Sequence, residues 1–203
     1  MPTEFSDAYR RFQSSMIIGF DEWHDGTPYD LDALDAMTPE ELKAVEAMLI
    51  ARSDRHWRDI EALARIGTRT ALAAVGADAT DADENTRLFA AKTLDLAGEP
   101  LDLSPQIVAA LQQDETFGGL SQALDLAARR PTEPVVRALI DGARSAPDNR
   151  GVHFAALLYF IHGKADEPFD WDRRPFFLRF TPEDPQDRER AFAEMCAELG
   201  LEP

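Results

Sequence analysis

Residues 59–75 of the chain are DIEALARIGTRTALAAV, and residues 87–98 are RLFAAKTLDLAG. Apolar residues recur in both stretches every three or four positions, which is the period of an amphipathic helix packed against a core. The apolar series reach Gly67 in one stretch and Gly98 in the other, and glycine frequently ends helices. The two stretches therefore predict helices that stop at these glycines. After the first stop, Thr68 is predicted to cap a second, shorter helix.

Similar helix ends recur along the chain. They fall at Gly67, Gly98, Pro131 and Gly163, with spacings of 31, 33 and 32 residues. The first three are each followed by a shorter apolar segment (TRTALAAV, SPQIVAAL and TEPVVRAL). A constant spacing of this size is typical of stacked helical hairpins, none of which can bury its apolar faces alone.

The chain before these hairpins also contains helix signals. Thr38 is followed by Pro39 and then by Glu41, an order that predicts a helix with a capping box at its start. Asp54 is expected to cap the next helix. The stretch 164–180 breaks the helical period with two prolines and five large aromatic residues, so we expect an ordered loop there, followed by a last helix over about 186–199.

With these features, residues 54–163 resemble HEAT-like repeats in their short bacterial form. The resemblance implies an all-α fold: a short right-handed solenoid of HEAT-like helical hairpins with non-repeat caps at both ends. The chain is then a single domain, 1–203, with an acidic N-terminal cap at 1–53 and an aromatic loop with a final capping helix at 164–203. Several antitoxin-type immunity proteins, small acidic chains that block a basic toxin, also resemble this fold.

The composition limits the possible partners. The chain carries 38 acidic and 21 basic residues, a net charge of −17. Nucleic acid and anionic membranes are bound through clustered lysine and arginine, so neither is an expected partner. A basic protein is the partner that such charge would attract.

The N-terminus has no apolar signal core and the longest apolar run is too short to span a bilayer, so we expect a cytoplasmic protein. The one cysteine, Cys196, is expected to be buried.

One acidic segment stands apart, GFDEWHDGTPYDLDALD at 19–35, which has no lysine or arginine. A calcium loop starting at Asp21 would place Gly26 correctly, but Trp23 and Pro28 break the pattern. Carboxylates beside His24 are one arrangement for acid–base hydrolysis, but no nucleophile accompanies them. In a structural interpretation, the aromatic residues pack and the carboxylates cap helices. In a binding interpretation, the segment contacts a basic protein. The predicted contact residues are Asp21, Glu22, Trp23, His24, Asp25, Tyr29, Asp30 and Asp32.

Two further sets of residues lie outside the acidic segment. The aromatic residues of the C-terminal loop are expected to be buried against the last hairpin; they are Phe169, Trp171, Phe176, Phe177 and Phe180. The second helices of the hairpins would line a groove containing Arg69, Gln106 and Arg137, which is the next candidate for the partner contact.

The function predicted from these features is that of a protein-binding module, in the first place an acidic immunity-type protein that blocks a basic toxin. A scaffold without a single partner is the alternative. An enzyme is less favoured: a HEAT-like DNA glycosylase needs more positive charge in its groove, and nothing identifies the chromophore site of a HEAT-like lyase. We predict no catalytic residues, no cofactor and no metal.

Overall fold

The computed structural model describes residues 5–81, 84–99, 102–113 and 119–202, and these ranges are built of helices, without a strand. The predicted all-α class is confirmed. None of the helices in these ranges has both the length and the apolar character needed to cross a bilayer. The contacts divide the chain into two compact units, Met1–Leu101 and Asp102–Pro203.

Unit 1 contains seven helices in its described part. They are α1 (Asp7–Ser15), α2 (Phe20–His24), α3 (Leu31–Asp35), α4 (Pro39–Ile50), α5 (Trp57–Ile66), α6 (Arg69–Asp81) and α7 (Glu84–Leu96). Helices α5, α6 and α7 pack on one another pairwise, and α3 packs on both α1 and α5. The core of the unit includes Phe12, Leu34, Leu49, Leu63 and Leu94, all of which are buried.

The predicted start of α4 is confirmed in detail. Thr38 accepts a hydrogen bond from the Glu41 amide, and the Glu41 carboxylate accepts one from the Thr38 amide at 3.0 Å. The same carboxylate also accepts hydrogen bonds from the amide and the hydroxyl of Ser6, at 2.6 and 2.9 Å. These donors stabilise the ionised form, so the pKa of Glu41 lies below its ordinary value, with the Ser6 amide as the largest cause. The capping box thereby connects the start of α1 to the start of α4.

The predicted helix ends in unit 1 are also present. Gly67 and Gly98 have φ of 66° and 74°, the left-handed backbone that favours glycine after a helix. Thr68 accepts a hydrogen bond from the Ala71 amide, as predicted for a cap of α6. The prediction that Asp54 caps α5 is wrong: the cap is His56, whose Nδ1 accepts the Arg58 amide hydrogen at 3.3 Å. The prediction of a shorter second helix is wrong too, since α6 has 13 residues and α5 has 10.

Unit 2 contains six α-helices in its described part, α8 (Ser104–Leu111), α9 (Leu120–Arg129), α10 (Glu133–Ser145), α11 (Arg150–Ile161), α12 (Arg174–Phe177) and α13 (Pro185–Leu199). Helix α8 packs on α9 and α10, and α10 packs on α11. Two buried arginines donate to carbonyl groups at helix ends, where the last turn leaves carbonyls without an amide partner in the helix. Arg150 donates to carbonyls at the end of α8, and Arg188 donates to three carbonyls at the end of α10.

The aromatic loop of unit 2 is only partly buried. Phe177 and Phe180 are buried, and the Phe177 ring lies 5.5 Å from the buried Tyr159 ring of α11. The prediction is confirmed for these two residues. It is wrong for Trp171, which keeps 69% of its surface exposed. Cys196 is buried, as predicted.

Candidate protein-contact surface

Helix α2 presents aromatic side chains to solvent. Phe20 and Trp23 are 73% and 66% exposed, and their ring centroids are 6.2 Å apart. They are three positions apart on the helix, so they share one face. The Phe20 ring also lies 6.0 Å from the His24 ring. We call this exposed helix, Phe20–His24 together with Asp25, the α2 surface.

The carboxylates of the acidic segment fall into two groups. Glu22 accepts a hydrogen bond from the Gly19 amide, Asp30 caps α3 and pairs with Arg11, and Asp35 pairs with Arg65. These three stabilise local structure. By contrast, Asp21 and Asp32 are exposed and make no hydrogen bond or ion pair within the described ranges. Asp25 is exposed and contacts only the His24 ring nitrogen, at 3.0 Å. The α2 surface therefore combines aromatic rings with exposed carboxylates that pair with no lysine or arginine among the described residues.

A buried arginine of α5 holds α2 in place. Arg58 keeps only 5% of its surface exposed. Its Nε donates to the Thr27 carbonyl at 2.7 Å, and its Nη2 donates to the Glu22 carbonyl at 3.0 Å. Its guanidinium lies 4.4 Å from the ring of Trp57. Because both acceptors are backbone atoms of α2 and the loop after it, Arg58 fixes the helix without using any side chain of the α2 surface.

Tyr29 lies at the other end of this loop and is buried, with 3% of its surface exposed. Its hydroxyl donates to the Asp59 carboxylate at 3.2 Å and accepts a hydrogen bond from Arg52 at 3.1 Å. Arg52 also donates to Asp59, at 2.8 Å. Burial raises the pKa of the Tyr29 phenol, and the charge of Asp59 raises it further. Tyr29 is thus a second anchor of the loop.

The predicted contact residues therefore separate by position. Asp21, Glu22, Trp23, His24, Asp25 and Asp32 are exposed, Asp30 is half-buried at the start of α3, and Tyr29 lies in the core. Sequence reasoning missed Phe20, although its spacing of three from Trp23 is a signal of a shared helix face. Groups of three or more His, Cys, Asp or Glu residues suited to a metal ion do not occur in the described part of the chain.

Each unit also has a shallow cavity in its described part. In unit 2, Gln112, which follows α8, and Arg137 of α10 line a cavity of about 320 Å³. Of the three residues predicted to line a groove, Arg69, Gln106 and Arg137, only Arg137 lines this cavity. In unit 1, helices α3, α5 and α7 line a cavity of about 440 Å³.

Comparison of the chain with protein-family models, with curated proteins and with solved structures finds no match.

Proposed function

We propose that this chain is a protein-binding module and that the α2 surface is where a basic partner protein contacts it. The observation that supports this proposal best is the exposure of Phe20 and Trp23 on a helix that Arg58 holds in place. A helix that is already fixed needs no ordering of its backbone on binding, and tryptophan is among the residues that contribute most to protein interfaces.

The charge distribution supports a basic partner. Residues 1–53 carry 11 acidic and 4 basic residues, a net charge of −7. Of the 21 basic residues in the chain, 18 are arginines. The most buried of them, Arg58, Arg150 and Arg188, donate to backbone carbonyls and so contribute little positive surface. The electric field of exposed carboxylates such as Asp21 extends into the solvent. There it accelerates the approach of a positively charged protein.

The HEAT-like architecture belongs to the same proposal. Helices α5, α6 and α7 pack on one another within unit 1, and α10 packs on α8 and α11 within unit 2, which supports an arrangement of helical hairpins. A basic toxin blocked in the cytoplasm, as by an antitoxin-type immunity protein, is the partner we propose in the first place. A scaffold role without a single partner is the alternative. Neither role requires a catalytic residue or a cofactor.

Affinity capture from the native cells, followed by mass spectrometry, tests the proposal. The baits are the unaltered protein, Trp23→Ala, and the double variant Asp21→Asn/Asp25→Asn. Trp171→Ala is the matched control, because Trp171 is as exposed as Trp23 but belongs to unit 2. We expect one basic protein to be retained by the unaltered and Trp171→Ala baits and lost from the other two. Equal retention by all four baits would refute the role of the α2 surface.

A further inference from the structure

The cavity of unit 1 is largely apolar. Leu31 of α3, Ala64 of α5, and Phe89 and Leu96 of α7 line it. Leu96 keeps 68% of its surface exposed, so the groove presents an apolar side chain to a ligand from solvent. A cavity of about 440 Å³ is large enough for one long side chain. We call it the α5–α7 groove.

One carboxylate lies in this apolar lining without a partner. Glu61 of α5 is half-buried and makes no hydrogen bond or ion pair among the described residues. Burial raises the pKa of its carboxyl group above the ordinary value, and the charge of Arg58 offsets part of that rise. A half-buried carboxylate without a partner has lost part of its hydration, so a cation that enters the groove gains more there than at a fully exposed carboxylate.

Two basic residues also line the groove, and only one of them already pairs with a carboxylate among the described residues. Arg65 already pairs with Asp35, outside the groove lining. Lys92 of α7 is half-buried and pairs with no carboxylate within the described ranges. Its charge opposes a cation in the groove and would favour an anion. Whether the groove binds a cation or an anion therefore depends on Glu61 and Lys92. A variant of each residue tests its contribution separately.

The groove and the α2 surface are connected through α5. The Phe89 ring, which lines the groove, lies 6.1 Å from the Trp57 ring. Trp57 also contacts the guanidinium of Arg58, which holds α2. Trp57, Glu61 and Ala64 follow one another at helical spacing, so they form one face of α5. Trp57 thus contacts both the lining of the groove and the side chain that holds α2.

We infer that the α5–α7 groove receives a lysine or arginine side chain of the basic partner, with its aliphatic part against Phe89 and Leu96 and its charged end at Glu61. This inference rests on the proposed function, because it assigns the groove to the same partner. The surrounding acidic charge of the chain favours the cation over the anion at this position. The pairing also explains why an apolar groove contains an unpaired carboxylate.

The probe for this site is hexylammonium, which has the aliphatic chain and the charged end of lysine. Hexan-1-ol and hexanoate have the same chain with a neutral and an anionic end. Each is titrated into the full-length protein and followed by amide chemical shifts. We expect saturable shifts at Glu61, Phe89 and Leu96, with hexylammonium binding about threefold to tenfold more tightly than hexan-1-ol, as for a partly desolvated ion pair.

Three variants distinguish binding in the groove from a general effect of the protein's net charge. Glu61→Gln is expected to abolish the preference for hexylammonium over hexan-1-ol, and Lys92→Met is expected to increase it. Glu40→Gln, which removes an exposed carboxylate of α4 outside the groove, should leave it unchanged. Hexanoate binding as tightly as hexylammonium, or an unchanged preference in Glu61→Gln, would overturn the inference. These titrations do not depend on the α2 surface, so their failure is distinguishable from a failure of the capture experiment.

Discussion

Replacing Arg58 with methionine tests whether α2 is held by this one side chain. The substitution keeps much of the buried aliphatic length and removes the guanidinium that donates to the Thr27 and Glu22 carbonyls at 2.7 and 3.0 Å. A hydrogen bond from a charged donor contributes about 1.5–3 kcal/mol. Removal of the buried charge recovers some desolvation energy, so the two bonds do not add fully. We expect a loss of about 2–4 kcal/mol in the free energy of unfolding.

Urea denaturation measures the global loss, and amide hydrogen exchange locates it. Arg58→Met should accelerate exchange at residues 20–27 more than in the helices of unit 2. Arg11→Met is the matched control: Arg11 contacts the same acidic segment through Asp30, but its side chain is 58% exposed. An exposed ion pair contributes at most about 1 kcal/mol. If Arg58→Met loses no more stability than Arg11→Met, and exchange at 20–27 is unchanged, α2 is not held in this way.

Three further predictions follow from burial and hydrogen bonding. Trp23→Ala should change the free energy of unfolding by less than about 0.5 kcal/mol in urea denaturation, because the side chain is largely exposed; a larger loss would make Trp23 a core residue. Leu94→Ala and Leu157→Ala should each cost about 2–5 kcal/mol in the same assay, since both side chains are buried; an unchanged denaturation midpoint would contradict that assignment. Glu41→Gln should lower Tm at neutral pH, where Ser6 stabilises the ionised carboxylate. The pKa of Glu41 is lower in the folded state, so this stability is present above the carboxyl's ordinary pKa and is lost as pH falls through the folded one. The Tm difference between the variant and the unaltered protein should therefore shrink in acid, and a difference independent of pH would refute the role of the charge.

Helix ends were predictable where the signal is local. Thr38 and Glu41 are three residues apart and cap each other, and Gly67 needs only its own backbone freedom to end α5. The start of α5 was not predictable in this way. Residues 51–56 are arranged by Arg55, which donates to the Ile50 carbonyl and pairs with Asp78, 23 positions further along the chain. This long-range pair places His56, rather than Asp54, at the cap.

The candidate site was predictable as a segment, but its exposed face was not. Trp23 and Tyr29 lie in the same acidic stretch, and sequence spacing does not indicate which of them is buried. The partners of Tyr29 decide it: Asp59 and Arg52 are 30 and 23 positions away. Arg58, which holds α2, donates to carbonyl groups, and backbone acceptors leave no pattern in the sequence of side chains.

The carboxylates of the α2 surface are proposed to attract a basic protein. The most direct test is the association rate constant, measured by stopped flow at several salt concentrations, for the captured partner with the unaltered protein and with Asp21→Asn/Asp25→Asn. We expect the variant to associate more slowly at low salt and to depend less on salt, because salt screens the charges that steer association. The same rate constants and the same salt dependence for both proteins would contradict the claim.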